Sequence, residues 1–301
     1  MTALSQFSES LAALVETAGA SVVGVEAGRR ARGTGTVWSK DGLIVTAEHV
    51  LPHDDGIRVR LGDGRQVDAT LVGRDPTTDV AVLRIGNAAL SVPNWAEPAT
   101  LKVGNLVVAL GRPGQSVRAT FGIIGVLGEG WQTPSGGRID RYLEADVRLY
   151  PGFSGGPLLD STGSVLGINT GGLRRGGSLT VVSSTVRRVV ESLVTHGRIR
   201  RGYLGIATQP VRLAPAVADR AGQPRGLLVV EVEPGSPAER AGLQLGDTLL
   251  TVAGQPVRYA EELFGLLSGD RIGTSVAAQI LRAGAVVELQ LTVGERLPKS
   301  A

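Results

Sequence analysis

Residues 150–158 read Tyr-Pro-Gly-Phe-Ser-Gly-Gly-Pro-Leu, with the serine at position 154. A nucleophilic serine needs its oxygen at the mouth of a turn and a base that takes its proton. It also needs backbone N–H groups aimed at the oxyanion that develops during attack. Glycines beside the serine permit the positive φ angles that such a loop requires. The stretch is therefore compatible with catalysis by Ser154, but an ordinary glycine turn would have the same composition.

Two further stretches supply partners for Ser154. His49 ends the strand-like run 43–50, and Asp79 precedes the apolar strand predicted over 80–85. Taken singly, each favours a structural role, since a lone histidine is often structural and an acid at a strand start is commonly a turn residue. A carboxylate that accepts a hydrogen bond from an imidazole, however, fixes the orientation of a catalytic base. The joint occurrence of His49, Asp79 and Ser154 in one β-rich segment predicts a catalytic triad.

The sequence around these stretches predicts two domains of different class. Between residues 21 and 183, short apolar runs such as 43–46 alternate with turn signals, a pattern typical of an all-β sandwich or a pair of barrels. Amphipathic helices are predicted over 1–19 and before Gly197. The glycine-bounded basic segment 197–201 is interpreted as a linker. The predicted domains are 1–196, with 1–19 as a possible oligomerisation segment, and 202–296, a smaller α/β unit that includes strands at 226–233, 248–252 and 275–282 and a helix at 259–267, followed by a tail at 297–301.

Composition excludes several classes of function. The chain has 301 residues and no cysteine, which excludes disulfides, cysteine-ligated zinc and thiol catalysis. The net charge is only +3 and no run of five Lys or Arg occurs, so nucleic-acid binding is disfavoured. The sequence contains no run of about 18 apolar residues, so no membrane-spanning helix is expected. The first basic residue is Arg29, so no signal peptide is visible and the chain as given is expected in the cytoplasm. An extracytoplasmic location is expected instead if Met1 is not the native start.

Together these motifs resemble the chymotrypsin-like proteases, and specifically the HtrA (Deg) family. The resemblance rests on Thr-Ala-Glu-His-Val at 46–50, Asp-Val-Ala-Val-Leu at 79–83 and Gly-Phe-Ser-Gly-Gly-Pro-Leu at 152–158. The stretch 232–247, which contains Pro-Gly-Ser-Pro-Ala-Glu-Arg-Ala-Gly-Leu, resembles the PDZ signature of the same family. The implied fold is mostly β: a chymotrypsin-like double β-barrel followed by a smaller α/β PDZ domain.

The resemblance implies an ATP-independent serine endopeptidase of protein quality control that acts on unfolded or damaged chains. Ser154 would attack, His49 would act as base and then acid, and Asp79 would orient His49. The N–H groups of Gly152 and Ser154 would line the oxyanion hole, and no metal or organic cofactor is implied. A homotrimer or a multiple of one is implied, with the segment near Phe7 at the interface. The alternative is a chaperone or peptide-binding module whose protease domain is silent or reversibly inactive.

The resemblance also assigns binding residues. Leu149 and Ile168 would border the substrate pocket, and Asn169, Thr170 and Gly171 would offer the edge that pairs with the substrate backbone. Arg148 is expected to point outward because a solvated arginine avoids the cost of burying its charge. In the PDZ domain the resemblance assigns the loop that binds a peptide carboxyl terminus to Tyr203, Leu204, Gly205 and Ile206.

Two residues depart from the family pattern. Phe153 replaces the usual asparagine, and its side chain is expected to point away from the oxyanion hole. Trp131 occupies the place of a switching arginine in the sensor loop, for which Arg138 is the candidate substitute.

Overall fold

The computed structural model describes residues 2–28, 31–86, 89–96, 101–133, 135–173, 179–200, 202–267 and 271–295. The chain divides into two compact units, Met1–Ile199 and Arg200–Ala301. The predicted tail at 297–301, Arg201 of the predicted linker and Pro134 of the sensor loop lie outside the described residues. No helix in the described part of the chain is both long enough and apolar enough to cross a membrane.

In the first unit, an amino-terminal helix is followed by a closed antiparallel barrel whose interior is filled by Val, Leu, Ile and Ala side chains. Branched aliphatic residues dominate these strands because they pack well on a pleated surface. A short 3-10 turn, Glu48–Val50, follows the third strand and carries His49. The strands are β1 (Val22–Ala27), β2 (Ala31–Val37), β3 (Leu43–Thr46), β4 (Ile57–Arg60), β5 (Gln66–Asp75) and β6 (Val80–Ile85), paired in the order β1-β2-β3-β6-β5-β4.

A second closed barrel follows in the same unit, and between its strands lies a small hairpin of β9 (Trp131–Gln132) and β10 (Arg138–Ile139). The predicted double-barrel, mostly β fold is therefore confirmed. The barrel strands are β7 (Leu106–Gly111), β8 (Arg118–Gly128), β11 (Tyr142–Asp146), β12 (Pro157–Leu159), β13 (Val165–Thr170) and β14 (Leu179–Val182), paired in the order β11-β14-β13-β12-β7-β8.

Two amphipathic helices pack on the barrels. Helix α1 (Ala3–Gly19) packs Leu11, Leu14 and Val15 against the second barrel. Helix α2 (Ser183–His196) buries Val186, Val189, Val190 and Leu193. It ends at Gly197, whose φ of +69° is the left-handed C-cap that glycine favours.

The second unit is a smaller α/β domain. Its main sheet has the order β16-β17-β18-β20-β21, so β16 is an edge strand, and α5 lies beside it. Leu, Val, Ile and Ala side chains fill the core between the sheet and the helices. The elements are β15 (Gly202–Tyr203), β16 (Ile206–Arg212), α3 (Pro215–Ala221), β17 (Arg225–Val232), α4 (Pro237–Arg240), β18 (Thr248–Val252), β19 (Gln255–Pro256), α5 (Ala260–Leu266), β20 (Ser275–Arg282), β21 (Ala285–Thr292) and β22 (Gly294–Glu295).

Candidate active site

His49 and Asp79 are hydrogen-bonded to each other. His49 Nδ1 lies 2.9 and 2.8 Å from the two carboxylate oxygens of Asp79, and the His49 backbone N–H donates to Oδ1 at 2.9 Å. Asp79 precedes β6 with a φ of +56° and is only 3% exposed. The hydroxyl of Thr170 also donates to Asp79. Because Nδ1 is committed to Asp79, Nε2 is the ring nitrogen that remains for proton transfer.

The surroundings of His49 raise the pKa of its imidazole. The hydrogen bond that His49 donates to Asp79 raises the pKa of His49 above its ordinary 6.5, although partial burial of the ring opposes this. The negative charges of Asp79 and Glu48 act in the same direction as the hydrogen bond. An imidazole stabilised in this way suits a base that must hold a proton during the reaction.

Glycines shape the loop that carries Ser154. Gly152 and Gly155 have φ angles of +88° and +87°. A Cβ on Gly155 would lie 2.0 Å from the carbonyl oxygen of Thr34, and one on Gly156 would lie 2.0 Å from that of Leu110. The loop therefore requires glycine both for backbone conformation and for close approach to the first barrel and to β7.

Hydrogen bonds fix most of the backbone around Ser154. The N–H of Phe153 donates to Tyr150 O at 3.0 Å, and the N–H of Gly156 donates to Phe153 O at 2.9 Å. Within the described residues, the N–H groups of Gly152 and Ser154 have no hydrogen-bond acceptor. These are the two groups predicted to line the oxyanion hole.

The segment after β13 lies close to both Ser154 and the His49–Asp79 pair. A Cβ on Gly171 would lie 3.9 Å from Ser154 Oγ, whereas a Cβ on Gly172 would lie 2.7 Å from both His49 Nδ1 and Asp79 Oδ2. All three predicted triad residues thus border this one segment. Neither Gly172 nor the Thr170 contact with Asp79 is predicted from the sequence. The Gly-Gly pair directly after a buried strand is the only local signal for them.

Two predicted substrate contacts need correction. Ile168 is fully buried in a core cluster with Val186 and Val189 of α2, so its side chain does not border an accessible pocket. Asn169 does not offer a free strand edge, because its N–H donates to Gly156 O at 2.8 Å and its carbonyl accepts from Gly155 at 2.9 Å. The Ile168 error arises because α2 packs on the face of β13 to which that side chain points, and the Asn169 error arises because its backbone already pairs with Gly155 and Gly156.

Leu149 and Arg148, which precede the Ser154 loop, are at least partly accessible, whereas Thr170 is fully buried. Leu149 is half-buried against the core of the second barrel. The Arg148 side chain is exposed, with its guanidinium 4.9 Å from the centre of the Tyr150 ring, which is the outward arrangement expected for it.

The residues that depart from the family pattern pack without disturbing the loop. Phe153 is fully buried in the core of the second barrel, so its side chain points away from the predicted oxyanion hole, as expected. Trp131 is half-buried, and its ring lies 5.8 Å from that of Tyr142. Arg138 is exposed, and its Nε lies 3.5 Å from Asp140. The described ion pair of Arg138 is thus with Asp140 and not with the Ser154 loop.

In the second unit, hydrogen bonds to backbone carbonyls hold the predicted carboxylate-binding loop in place. Leu204 O accepts from Ala238 N–H at 2.9 Å, and Gly205 O accepts from Glu233 N–H at 2.8 Å. The Leu204 side chain is buried in the core and Gly205 has a φ of +80°. The half-buried Tyr203 donates its hydroxyl proton to Glu233. Ile206 packs against the core at the start of β16.

Comparison with known proteins gives the same two domains. Residues 33–168 match the family of trypsin-like peptidase domains, and residues 202–293 match the PDZ domain family. A PDZ domain suggests peptide binding. A probable periplasmic serine endoprotease of the DegP-like type from Chlamydia trachomatis is 34% identical over 268 residues, which cover 87% of this chain and 54% of that protein. The chain thus spans little more than half the length of that relative.

Solved structures share the fold over nearly the whole chain. The serine endoprotease from Yersinia pestis is 30% identical with a TM-score of 0.76, and the match covers 94% of this chain and 97% of that one. The HtrA-type protease AlgW, solved with a decapeptide, is 28% identical with a TM-score of 0.78, covering 95% and 99%. The chain therefore belongs to the HtrA family of trypsin-like serine proteases that carry a PDZ domain.

Proposed function

We propose that this protein is an ATP-independent serine endopeptidase that cleaves unfolded or damaged proteins. The observation that carries the proposal is the His49–Asp79 hydrogen bond beside a loop whose Gly152 and Ser154 N–H groups lack acceptors among the described residues. This arrangement offers a base, a group that orients it and donors for an oxyanion. The relatives supply the reaction class, since they are serine endoproteases.

The reaction follows from the roles of these groups. Ser154 Oγ attacks the peptide carbonyl while His49 Nε2 takes its proton, and the N–H groups of Gly152 and Ser154 stabilise the oxyanion. His49 then protonates the leaving amine, and an acyl-enzyme remains on Ser154. Water attacks this ester with His49 again acting as base. Leu149 borders the side-chain pocket, and the pairing edge for the substrate backbone begins after Asn169, at Thr170.

The PDZ domain is proposed to capture carboxyl termini of peptides. The carbonyls of Leu204 and Gly205 are bound within the domain, which fixes the loop 203–206, and backbone N–H groups of this loop are proposed to bind the terminal carboxylate. The peptide then adds a strand to the edge of β16, with α5 as the other wall of the groove. This binding would deliver or regulate substrate for the protease domain.

We also infer a homotrimer, or a multiple of one, with α1 at the interface. Leu4 and Phe7 of α1 are 77% and 42% exposed, and Phe7 lies edge-on to the ring of Phe121, which is 44% exposed. Neighbouring large apolar side chains exposed on a surface mark interaction sites. Light scattering of the wild type and of Phe7→Asp tests this proposal: the variant is expected to be monomeric, and an unchanged mass would contradict the assigned interface.

Comparison of the wild type with Ser154→Ala tests the proposed activity. Reduced, alkylated α-lactalbumin is the unfolded substrate, and the native protein is its folded counterpart. Cleavage of the unfolded form is expected to fall by about 10⁴-fold or more in Ser154→Ala. It should be unchanged in Ser161→Ala, which alters an exposed serine in a turn. Absence of Ser154-dependent cleavage, with or without carboxyl-terminal peptides, would favour the silent chaperone alternative. Unchanged peptide binding after deletion of residues 202–301 would overturn the PDZ assignment.

A further inference from the structure

The hydroxyl of Thr34 contacts the loop that carries Ser154 from the opposite barrel. We propose that Thr34 is a positioning residue that keeps this loop in the form that binds the oxyanion. Thr34 lies in β2 and is fully buried. The inference rests on the proposed protease function. It assigns to a residue of the first barrel the positioning of an oxyanion hole whose N–H groups belong to the second barrel.

Thr34 holds the loop at two points. Its Oγ1 donates to Gly152 O at 2.6 Å, and its backbone N–H donates to Ser154 O at 3.0 Å. The two hydrogen bonds hold the carbonyls of the residues that flank Phe153, namely Gly152 and Ser154. They therefore constrain the conformation of the residues whose N–H groups are proposed to bind the oxyanion.

A third hydrogen bond sets the direction of the Thr34 hydroxyl. The backbone N–H of Arg112 donates to Thr34 Oγ1 at 2.8 Å. Because Oγ1 accepts this proton, its own proton is available for Gly152 O. Arg112 is itself fixed, since its buried guanidinium donates to the carbonyls of Val22 at 2.7 Å, Gln115 at 2.8 Å and Gly19 at 3.0 Å. The donor that orients Thr34 is thus immobilised by contacts with α1 and β1.

The consequence concerns the peptide unit between Gly152 and Phe153. Its carbonyl is held by Thr34, and its N–H is held by Tyr150 O at 3.0 Å, so both ends of the unit are fixed. Without the hydroxyl, Gly152 O loses a buried donor, and rotation of the peptide towards another donor becomes favourable. Such a rotation would displace the adjacent Gly152 N–H from the oxyanion. The effect would fall on the transition state rather than on substrate binding.

The test compares Thr34→Val with Thr34→Ser in the full chain. Valine has nearly the same shape but lacks the hydroxyl, whereas serine retains it. Thr185→Val is the matched control, because the equally buried Thr185 hydroxyl accepts the N–H of Asp140 at 2.8 Å but does not contact the Ser154 loop. The measurements are kcat and KM on reduced, alkylated α-lactalbumin and the inhibition constant of a peptide boronate, whose tetrahedral adduct occupies the oxyanion hole.

For Thr34→Val, kcat is expected to fall about tenfold or more and the boronate constant to rise by a similar factor, with KM within about twofold. Thr34→Ser and Thr185→Val should stay within about threefold of the wild type on all three measures. Wild-type values in folded Thr34→Val, or equal losses in the valine and serine variants, would overturn the inference. If Thr34→Val does not fold, Thr34→Ala removes the same hydroxyl and makes the same comparison. Failure of the wild type itself to cleave would instead overturn the proposed function.

Discussion

Replacement of Gly172 by alanine tests the His49–Asp79 pair without removing either partner. An added Cβ would lie 2.7 Å from His49 Nδ1, 2.7 Å from Asp79 Oδ2 and 3.1 Å from Asp79 Cγ. Ordinary contacts of a methyl carbon begin near about 3.5 Å, so the pair or the segment must move by roughly 0.8 Å. The methyl group would therefore weaken the hydrogen bond that orients the imidazole.

The magnitude follows from the displacement. A misplacement of about 1 Å in a catalytic group costs about 100-fold in rate, which corresponds to about 2.7 kcal/mol. The expected fall in kcat/KM for Gly172→Ala is therefore about 100-fold, less than the roughly 10⁴-fold loss expected when a triad carboxylate is replaced by an amide.

The pH profile distinguishes this cause from general damage. His49 must be neutral to act as base, and its hydrogen bond with Asp79 raises its pKa above 6.5. The acid limb of the wild-type kcat/KM profile is thus expected above pH 6.5. Weakening the hydrogen bond lowers the pKa, so the limb in Gly172→Ala should move to lower pH while the plateau falls. Gly86→Ala, where a Cβ meets nothing within 4 Å, is the control. A folded Gly172→Ala protein with wild-type kcat/KM and an unshifted acid limb would refute the argument.

Three further substitutions test separate parts of the structure. Gly152 has a φ of +88°, and a Cβ added in Gly152→Ala would lie 2.5 Å from the Cβ of Pro113. Labelling of Ser154 by a fluorophosphonate should therefore slow about 100-fold in this variant. Labelling at the wild-type rate would contradict the proposed oxyanion hole. Phe153→Ala empties a fully buried site in the second barrel and should cost about 3–5 kcal/mol in urea unfolding; a loss below about 1 kcal/mol would contradict that packing. Arg282→Met leaves the buried Asp247 carboxylate without the guanidinium that binds it at 2.7 Å, so the PDZ domain should unfold at a lower urea concentration than in the wild type. Burial alone would raise the pKa of Asp247, but the hydrogen bonds from Arg282 lower it below 3.8. The stabilisation from this pair is therefore present above pH 3.8 and is lost as the pH falls through the lowered pKa. An unchanged acid unfolding transition in Arg282→Met would contradict this reasoning.

Local sequence patterns were sufficient to predict many of the strands. The bounds of β3, β6, β18 and β20 match their predicted ranges, because each is an apolar or alternating run that ends at turn residues. Strand β12 was not predicted. It has only three residues directly after the glycine loop, and its pairing with β13 and β7 defines it. Such pairing depends on residues distant in the chain.

In the candidate site, too, residues in local motifs are predictable and residues that act through distant contacts are not. His49, Asp79 and Ser154 were identified because each carries its own chemistry and stands in a recognisable stretch. Thr34 is not predicted from the sequence, since its role depends on a hydrogen bond to a residue 118 positions away. Ile168 was assigned wrongly for a related reason. Alternation along β13 shows that the residue faces a core, but only the placement of α2 shows that this core is closed to substrate.

The hydrogen bonds of the Ser154 loop restrict how an inactive state could form. The peptide units 152–153 and 153–154 are anchored through Thr34, Tyr150 and Gly156. Phe153 is additionally locked in the barrel core, where its ring leaves no room for a Cβ on Gly111. Among the described peptide units from 150–151 to 154–155, only the unit 151–152, which bears the Gly152 N–H, has no hydrogen bond to hold it. Reversible inactivation by a peptide flip would therefore act on the oxyanion donor at Gly152 alone, while Ser154 and the His49–Asp79 pair keep their positions. An inactive form of this kind should lose affinity for a peptide boronate and retain the elevated pKa of His49, a combination that separates it from disruption of the triad.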